Sequence, residues 1–261
     1  MTDKRVALVT GASSGIGRAC AELLAARGLR VYAASRSAAL RMDVTDNDSV
    51  QAAVDEIIRN EGRLDVVVNN AGIGLAGAVE DTSLEEAKSQ FEVNFFGVLR
   101  VCRAVLPILR RQRSGYIVNI GSIGGLVAIP YQGLYSASKF ALEGLTESLR
   151  LEARRFGVNV VLIEPGDHRT SLTVNRLRTA QSQTNPVYRD QCDRAIARTA
   201  ADEQAGAAPE AIARLLYGII NRAHPRLRYT VGPAPQRAVV WLKRLMPYAV
   251  VETVMGRYFS R

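Results

Sequence analysis

Three side chains in the middle of the chain have the types and spacing of a proton-transfer centre. Tyr135 and Lys139 stand one helical turn apart in Tyr135-Ser136-Ala137-Ser138-Lys139, and Ser122 lies 13 residues before the tyrosine. A free phenol titrates near ~10, too high for proton exchange near neutral pH. An i,i+4 lysine shares its helix face. A cation at about 4 Å, at an effective dielectric near 20, favours the phenolate by at most roughly 4 kcal/mol. The pairing therefore predicts a phenol brought down into the working range of an acid or base. A tyrosine and a lysine four apart are also a common solvated surface pair, so the elements around them must decide.

The amino-terminal end supplies a second piece of chemistry. Arg5-Val6-Ala7-Leu8-Val9-Thr10 is an apolar run suited to a buried strand, and it leads into Gly11-Ala12-Ser13-Ser14-Gly15-Ile16-Gly17. An amphipathic helix follows, with Ala19, Leu23, Leu24 and Ala26 on its apolar side and Gly28 as its stop. Strand, glycine turn and helix form a dinucleotide cradle. Glycines let backbone N–H groups approach a pyrophosphate, and the helix N-terminus carries partial positive charge. The spacing is Gly-x-x-x-Gly-x-Gly, a variant of the usual Rossmann fingerprint.

Stepping along the chain gives strands at about 5–9, 30–34, 40–42, 64–69, 115–120, 158–164 and 227–231. Helices are predicted at 15–27, 48–60, 84–112, 133–156 and 209–222. This alternation predicts a single α/β domain, a doubly wound parallel sheet of Rossmann type. The strand ends place Gly11, Ser35, Asn69, Ser122 and Pro165 along one edge, where open α/β sheets bind ligands. A length of 261 residues and a hydrophobic fraction of 48% suit one such domain. Cys20, Cys102 and Cys192 are scattered and read as reduced thiols in an intracellular, cytoplasmic protein. With only His168 and His224 as histidines, no metal site is expected. The N-terminus runs straight into the first strand, so no secretory signal is expected, and no apolar run is long enough to span a bilayer.

Together these residues resemble the short-chain dehydrogenase/reductase family, from about residue 5 to about residue 232. Thr10, Gly11, Ser13, Ser14, Gly15, Ile16 and Gly17 match its cofactor loop, and Asn70, Ala71 and Gly72 the segment after its fourth strand. Asn94, in Val93-Asn94-Phe95-Phe96-Gly97, matches its structural and catalytic asparagine. Ser122, Tyr135 and Lys139 match its catalytic triad, and Pro165, Gly166 and Thr170 its nicotinamide-side loop. Asp43, with Val44 beside it, matches its adenine-binding segment.

The resemblance implies a set of roles. Tyr135 exchanges a proton with the substrate oxygen. Lys139 lowers the phenol pKa and binds the nicotinamide ribose. Ser122 orients the carbonyl, and Asn94 holds a water that resupplies protons through Lys139. A homodimer through helices 84–112 and 133–156 is implied as well. For cofactor choice, Ser35 sits where NAD-preferring members carry an acidic residue, and Arg36 follows, as in NADP-preferring members. The expectation is NADP(H) rather than NAD(H). The short stretch from Ser35 to Asp43 predicts no helix there and an open adenine side.

The remainder sets the substrate side. Residues 167–209 are polar and weakly periodic, and in the family this region is a lid. The loop Pro165-Gly166-Asp167-His168-Arg169-Thr170, the long lid and a tail beyond Gly232 are similar to the branch containing steroid and retinoid dehydrogenases and related bacterial oxidoreductases. The implied reaction is hydride transfer between NADP(H) and the carbonyl or secondary alcohol of a bulky apolar small molecule. A reductase of 3-oxoacyl thioesters and a non-catalytic NADP(H)-binding sensor or scaffold are the alternatives. Residues 1–232 are expected to form the dehydrogenase domain and 233–261 a helical extension packed on it, split by Pro247. From Ala211 to Arg261 there are nine Lys/Arg against Glu252 alone, so 9 − 1 = +8 of the chain's +9. Interleaved Trp241, Leu245, Tyr248 and Val254 make that tail a basic amphipathic segment. It can lie on an anionic membrane or pack over the lid or a subunit interface. No nucleic-acid motif is visible.

Overall fold

The structure, a computed structural model, describes residues 4–260, apart from the side chains of Ser171, Arg244 and Ser260. Residues 1–3 and 261, which the sequence reading assigns to the domain and its extension, lie outside the described residues. The chain runs β1 (Val6–Thr10), α1 (Gly15–Ala26), β2 (Arg30–Ser35), β3 (Leu40–Arg41), α2 (Asn47–Glu61), β4 (Val66–Asn69) and β5 (Leu75–Ala76). It continues with α3 (Leu84–Phe91), α4 (Gly97–Gln112), β6 (Gly115–Ile120), α5 (Gly133–Arg154) and β7 (Val158–Pro165). The last part holds α6 (Ser171–Val174), β8 (Leu177–Arg178), α7 (Arg189–Ala205), α8 (Glu210–Ile219), β9 (Arg228–Val231), α9 (Ala234–Leu245) and α10 (Tyr248–Ser260).

Seven parallel strands form one sheet in the order β3-β2-β1-β4-β6-β7-β9. β1 and β4 are buried at every residue. That is why they read as unbroken apolar runs rather than alternating ones. Helices cover both faces. On one, Ile57 of α2, Val105 of α4 and Leu142 of α5 pack on Leu8, Val67 and Ile117. On the other, Leu24 of α1 with Ile212 and Leu216 of α8 pack on Val9, Val68 and Val161. The reversal of strand order lies between β1 and β4, and the cleft opens there.

Two features differ from the sequence expectation. The helix predicted over 84–112 is broken by a π-helical turn at Glu92–Phe96, between α3 and α4. One extra residue in the turn leaves the composition helical, so periodicity does not reveal it. It places Asn94, 1% exposed, into the interior. The lid holds a 17-residue helix, α7, whose buried residues are Cys192, Ala195 and Thr199. Such a narrow, small-residue stripe explains the weak periodicity there. The lid is tied to the body by Asn185 Nδ2 donating to buried Asp81 at 2.6 Å and Tyr188 Oη donating to Glu80 at 2.8 Å. No helix forms between β2 and β3.

The extension consists of α9 and α10, parted at Pro247. Lys243 Nζ donates to the carbonyl of Leu126 at 2.5 Å and lies 5.0 Å from the Phe140 ring centroid. In α10, Tyr258 Oη donates to Asp202 of α7, and Arg198 stacks 4.5 Å over its ring. Among the described residues, no helix is long and apolar enough to cross a membrane.

Candidate active site

A cleft of about 850 Å³ runs along the strand C-termini. Its walls include Gly11, Ser13, Ser14, Gly15 and Ile16 at one end, Ser35, Arg36, Asp43 and Val44 at the side, and Asn70, Ala71 and Gly72 beneath. Tyr135, Lys139, Pro165 and Thr170 stand at the other end. Thr10, Gly17, Asn94, Ser122 and Gly166, also singled out from sequence, lie behind these walls.

The glycine turn is shaped by contacts that leave no room for side chains. Gly11 and Gly15 have φ of 63° and 55°, which favours glycine. A Cβ on Gly17 would stand 2.4 Å from Asn70 Nδ2 and 2.5 Å from the Gly11 carbonyl oxygen. Asn70 Nδ2 donates to the carbonyls of Thr10 and Gly11 at 3.0 and 3.1 Å. Thr10 Oγ1 accepts from the N–H groups of Asn70 and Ala71 at 3.0 and 3.1 Å. The ends of β1 and β4 are thus clasped, and the first turn of α1 faces the cleft. A bare backbone cradle at a helix N-terminus fits the pyrophosphate of a dinucleotide.

At the end of β2, Ser35 Oγ accepts from the Ser37 N–H at 3.3 Å, while Arg36 is exposed. Asp43 Oδ1 accepts from Thr45 N–H and Oγ1–H at 2.9 and 2.8 Å. These bonds, helped by Arg36 and Arg100, hold its carboxyl below the usual range despite some burial.

The proton-transfer residues are supported from below. Tyr135, Lys139 and Ser122 are 8%, 7% and 9% exposed. Asn94 Oδ1 accepts from Ile73 N–H at 2.9 Å, and its Nδ2 donates to the Ile73 carbonyl at 3.0 Å and to Ser138 Oγ at 3.2 Å. Ser138 Oγ in turn donates to the Tyr135 carbonyl at 2.7 Å. The π-helical turn therefore ties the loop after β4 to the helical turn bearing Tyr135 and Lys139. Ser138 was not singled out from sequence. Its place between the tyrosine and the lysine was the available signal.

The electrostatics correct one expectation. Lys139 was expected to pull the Tyr135 pKa down, but burial raises it, with only a hydrogen bond to Ser122 and the Arg176 charge working the other way. The reason is geometric. Lys139 Nζ donates to the Ile120 carbonyl at 2.9 Å and stands 5.9 Å from the Tyr135 ring centroid. Burial also pushes the lysine itself down to about 8. Burial drives both groups towards their neutral forms. Near neutral pH Tyr135 is a protonated donor.

The lid adds residues that no local motif marks. Arg176 pairs with Glu203 at 2.5 Å. Asp167 is held by Gln236 of α9, through its backbone N–H and its carboxylate. Burial pushes Asp167 up to about 6. His168 is buried, with Nδ1 3.0 Å from the Gly166 carbonyl oxygen.

A doubly wound sheet with a backbone cradle at one end of its cleft and a Ser–Tyr–Lys set at the other defines a dinucleotide-dependent oxidoreductase architecture. Comparison with known proteins agrees. The sequence model described as "short chain dehydrogenase" matches residues 5–181. The chain is 42% identical to a 3-ketodihydrosphingosine reductase of Bacteroides thetaiotaomicron, over 94% of this chain and 96% of that one. A solved short-chain dehydrogenase of Streptomyces avermitilis superposes with a TM-score of 0.82 at 32% identity, covering 97% and 98% of the two chains. Another from Burkholderia phymatum, in complex with NAD, has a TM-score of 0.76 at 27% identity over 93% and 94%. This chain belongs to the short-chain dehydrogenase/reductase family of oxidoreductases.

Proposed function

We propose that this protein reduces the ketone of a bulky, lipid-like compound with NADP(H), and that long-chain 3-keto sphingoid bases are its substrate class. The carrying observation is that buried Tyr135 and Lys139 line the cleft whose other end is the glycine cradle, with Ser122 at the phenol. The name and the near-full-length similarity of the Bacteroides relative favour the sphingoid class. Leu172 and Leu177 at the carbonyl end offer an apolar wall to a long chain.

The bound dinucleotide supplies the hydride. Residues 11–17 and the first turn of α1 hold its pyrophosphate, Asp43 and Val44 its adenine, and Arg36 its 2′-phosphate. Pro165, Gly166 and Thr170 would flank the nicotinamide, Asn70, Ala71 and Gly72 would line the dinucleotide beside the glycine turn, and Lys139 would take the ribose hydroxyls. Ser122 and Tyr135 donate to the substrate carbonyl oxygen and polarise it. Tyr135 gives its proton to that oxygen as it becomes an alkoxide. Ser122 hydrogen-bonds the phenolate left behind, and a water at Asn94 relays a proton back through Lys139. The raised phenol pKa keeps Tyr135 loaded with its proton, which suits the reducing direction.

In this reading the protein works in the cytoplasm as a homodimer through α4 and α5. Domain and extension act together, with α9 and α10 also touching an anionic membrane. Trp241, Leu245 and Tyr248 are 66%, 79% and 70% exposed although α10 packs on α7. Co-sedimentation with anionic vesicles at low salt, lost on truncation after Pro233, is the expected result. No binding would remove the membrane contact.

The function is tested by NADPH oxidation, with NADH in parallel, over a 3-keto sphingoid base, steroid ketones, retinal, aliphatic aldehydes and short 3-oxoacyl thioesters. Turnover of the sphingoid ketone with NADPH is expected. Turnover confined to the thioesters would replace the substrate class, and dinucleotide binding without turnover of any would favour the sensor.

A further inference from the structure

Beside Tyr135 the lid carries a buried charge cluster that the hydride reaction does not use. The side chains of the paired Arg176 and Glu203 are 4% and 14% exposed. Arg176 Nε and Nη1 and Glu203 Oε2 are buried without a hydrogen-bond partner in the protein. Buried charged groups are ordinarily paired and fully hydrogen-bonded, and these three atoms are among the exceptions in this structure.

Their position points to a ligand. Asn175 and Leu177, on either side of Arg176 in the chain, line the cleft together with Tyr135 and Lys139, and Arg176, Glu203 and Asp167 lie behind that wall rather than in it. The pairing of Leu177 with Leu75 seats it beside Gly74, where a glycine Cβ would meet Arg176 Cγ at 3.9 Å. Glu203 lies one turn beyond Thr199 on α7. Thr199 Oγ1 accepts from Gln132 Nε2 at 3.4 Å, and Gln132 is the residue that opens α5, three positions before Tyr135. Asp167 enters from the end of β7, fixed by Gln236. The phenol feels all three: Glu203 and Asp167 raise its pKa and Arg176 lowers it. Asp202 is already engaged by Arg198 and Tyr258. Two carboxylates are thus left to one guanidinium, and the cluster is short of a cation.

We propose that Arg176, Glu203 and Asp167 form a head-group subsite. The carboxylates take an ammonium on the carbon next to the ketone, and the spare N–H groups of Arg176 take a neighbouring hydroxyl oxygen. The inference rests on the sphingoid reading above and deepens it. A 3-keto sphingoid base presents those two groups beside its carbonyl, whereas a simple steroid ketone or retinal presents no ammonium. An ammonium seated there would fix the ketone against Tyr135, while the chain lies along Leu172 and Leu177. Binding it would also relieve the mutual repulsion of Asp167 and Glu203.

The test compares two long-chain ketones that differ only in the 2-amino group, a 2-amino-1-hydroxy-3-ketone and its des-amino counterpart. The wild type should prefer the amine by about 10- to 150-fold in kcat/KM, the range of one charge-assisted hydrogen bond. Glu203→Gln should collapse that ratio by about 10-fold or more, mainly through KM, and Glu203→Asp should restore part of it. Asp167→Asn, which keeps the hydrogen-bonding shape, provides an independent collapse of the same ratio. A merely structural role would lower kcat/KM for both ketones by the same factor and leave the ratio standing, which overturns the subsite. Equal use of both ketones by the wild type overturns it too, while leaving the keto-lipid reading intact. Reduction of neither ketone, with other carbonyls turned over, sinks the keto-lipid reading and the subsite with it.

Discussion

On the dinucleotide side of the cleft the walls are mostly backbone. Gly11, Gly15 and Gly17 sit where side chains would strain or collide, and Thr10 and Asn70 lock the ends of two central strands together. On the carbonyl side the walls are side chains from five separate segments. Tyr135 comes from α5, Ser89 from α3, Thr170 from the loop after β7, Leu172 from α6 and Leu177 from β8. The first side is anchored in the sheet, and Thr10 and Asn70 find partners nearby. The second keeps buried polar atoms unpaired and holds Tyr135 and Lys139 away from their ordinary titration. A family reaction needs the same cofactor geometry in every member. Substrate choice needs a wall that changes without disturbing the sheet.

Variants can break this comparison. Tyr135→Phe should lower turnover by about 10³-fold, in the usual range for loss of a general acid, with dinucleotide affinity within about twofold. Stopped-flow turnover with a separate binding titration checks it, and near-normal turnover would remove Tyr135 from the chemistry. Gly17→Ala should act on the other side. Its Cβ would press on backbone at Gly11, and a cost of about 1–3 kcal/mol corresponds to about 10- to 150-fold weaker dinucleotide binding. Unchanged affinity by calorimetry would mean that the cradle is softer than its contacts indicate. Ser35→Asp with Arg36→Ile should shift the NADPH/NADH ratio of kcat/KM by about 10- to 150-fold towards NADH. An unchanged ratio would end the NADP(H) assignment.

Lys139→Met sharpens the comparison most, because activity and stability should move in opposite directions. Turnover should fall steeply, while stability near pH 7 rises by roughly 1–3 kcal/mol, a few degrees in Tm. The sign follows from the depressed pKa. The folded lysine titrates at about 8 and the unfolded one near ~10.4. Below pH 8 both are charged and the full cost of burial is carried. Between the two values the unfolded state binds the extra proton, so wild-type stability gains as pH rises. The advantage of the variant should be constant below about pH 8 and shrink towards pH 10. Differential denaturation of the two proteins over that range reads it. A pH-independent difference would contradict the burial argument.

How much was legible follows the same divide. The apolar runs of β1 and β4 announced a covered parallel sheet, and the glycine turn announced the cradle. The Tyr135–Lys139 spacing announced which helix face carries the chemistry. The break at Glu92–Phe96 was hidden because a π turn inserts one residue without changing composition. The lid helix α7 was hidden because it buries only Cys192, Ala195 and Thr199.

The sequence by itself determined what local patterning encodes: the parallel sheet, the glycine cradle, the order of the proton-transfer residues and the basic, apolar tail. Only the tertiary structure decided where Lys139 aims its ammonium, how Asn94 reaches Ser138, and that Arg176 and Glu203 pair within the lid. The physical reason is that burial and charge are properties of position. The partners lie far apart along the chain, as Arg176 and Glu203 do at 27 residues, and the desolvation that sets their chemistry arises only once the elements pack.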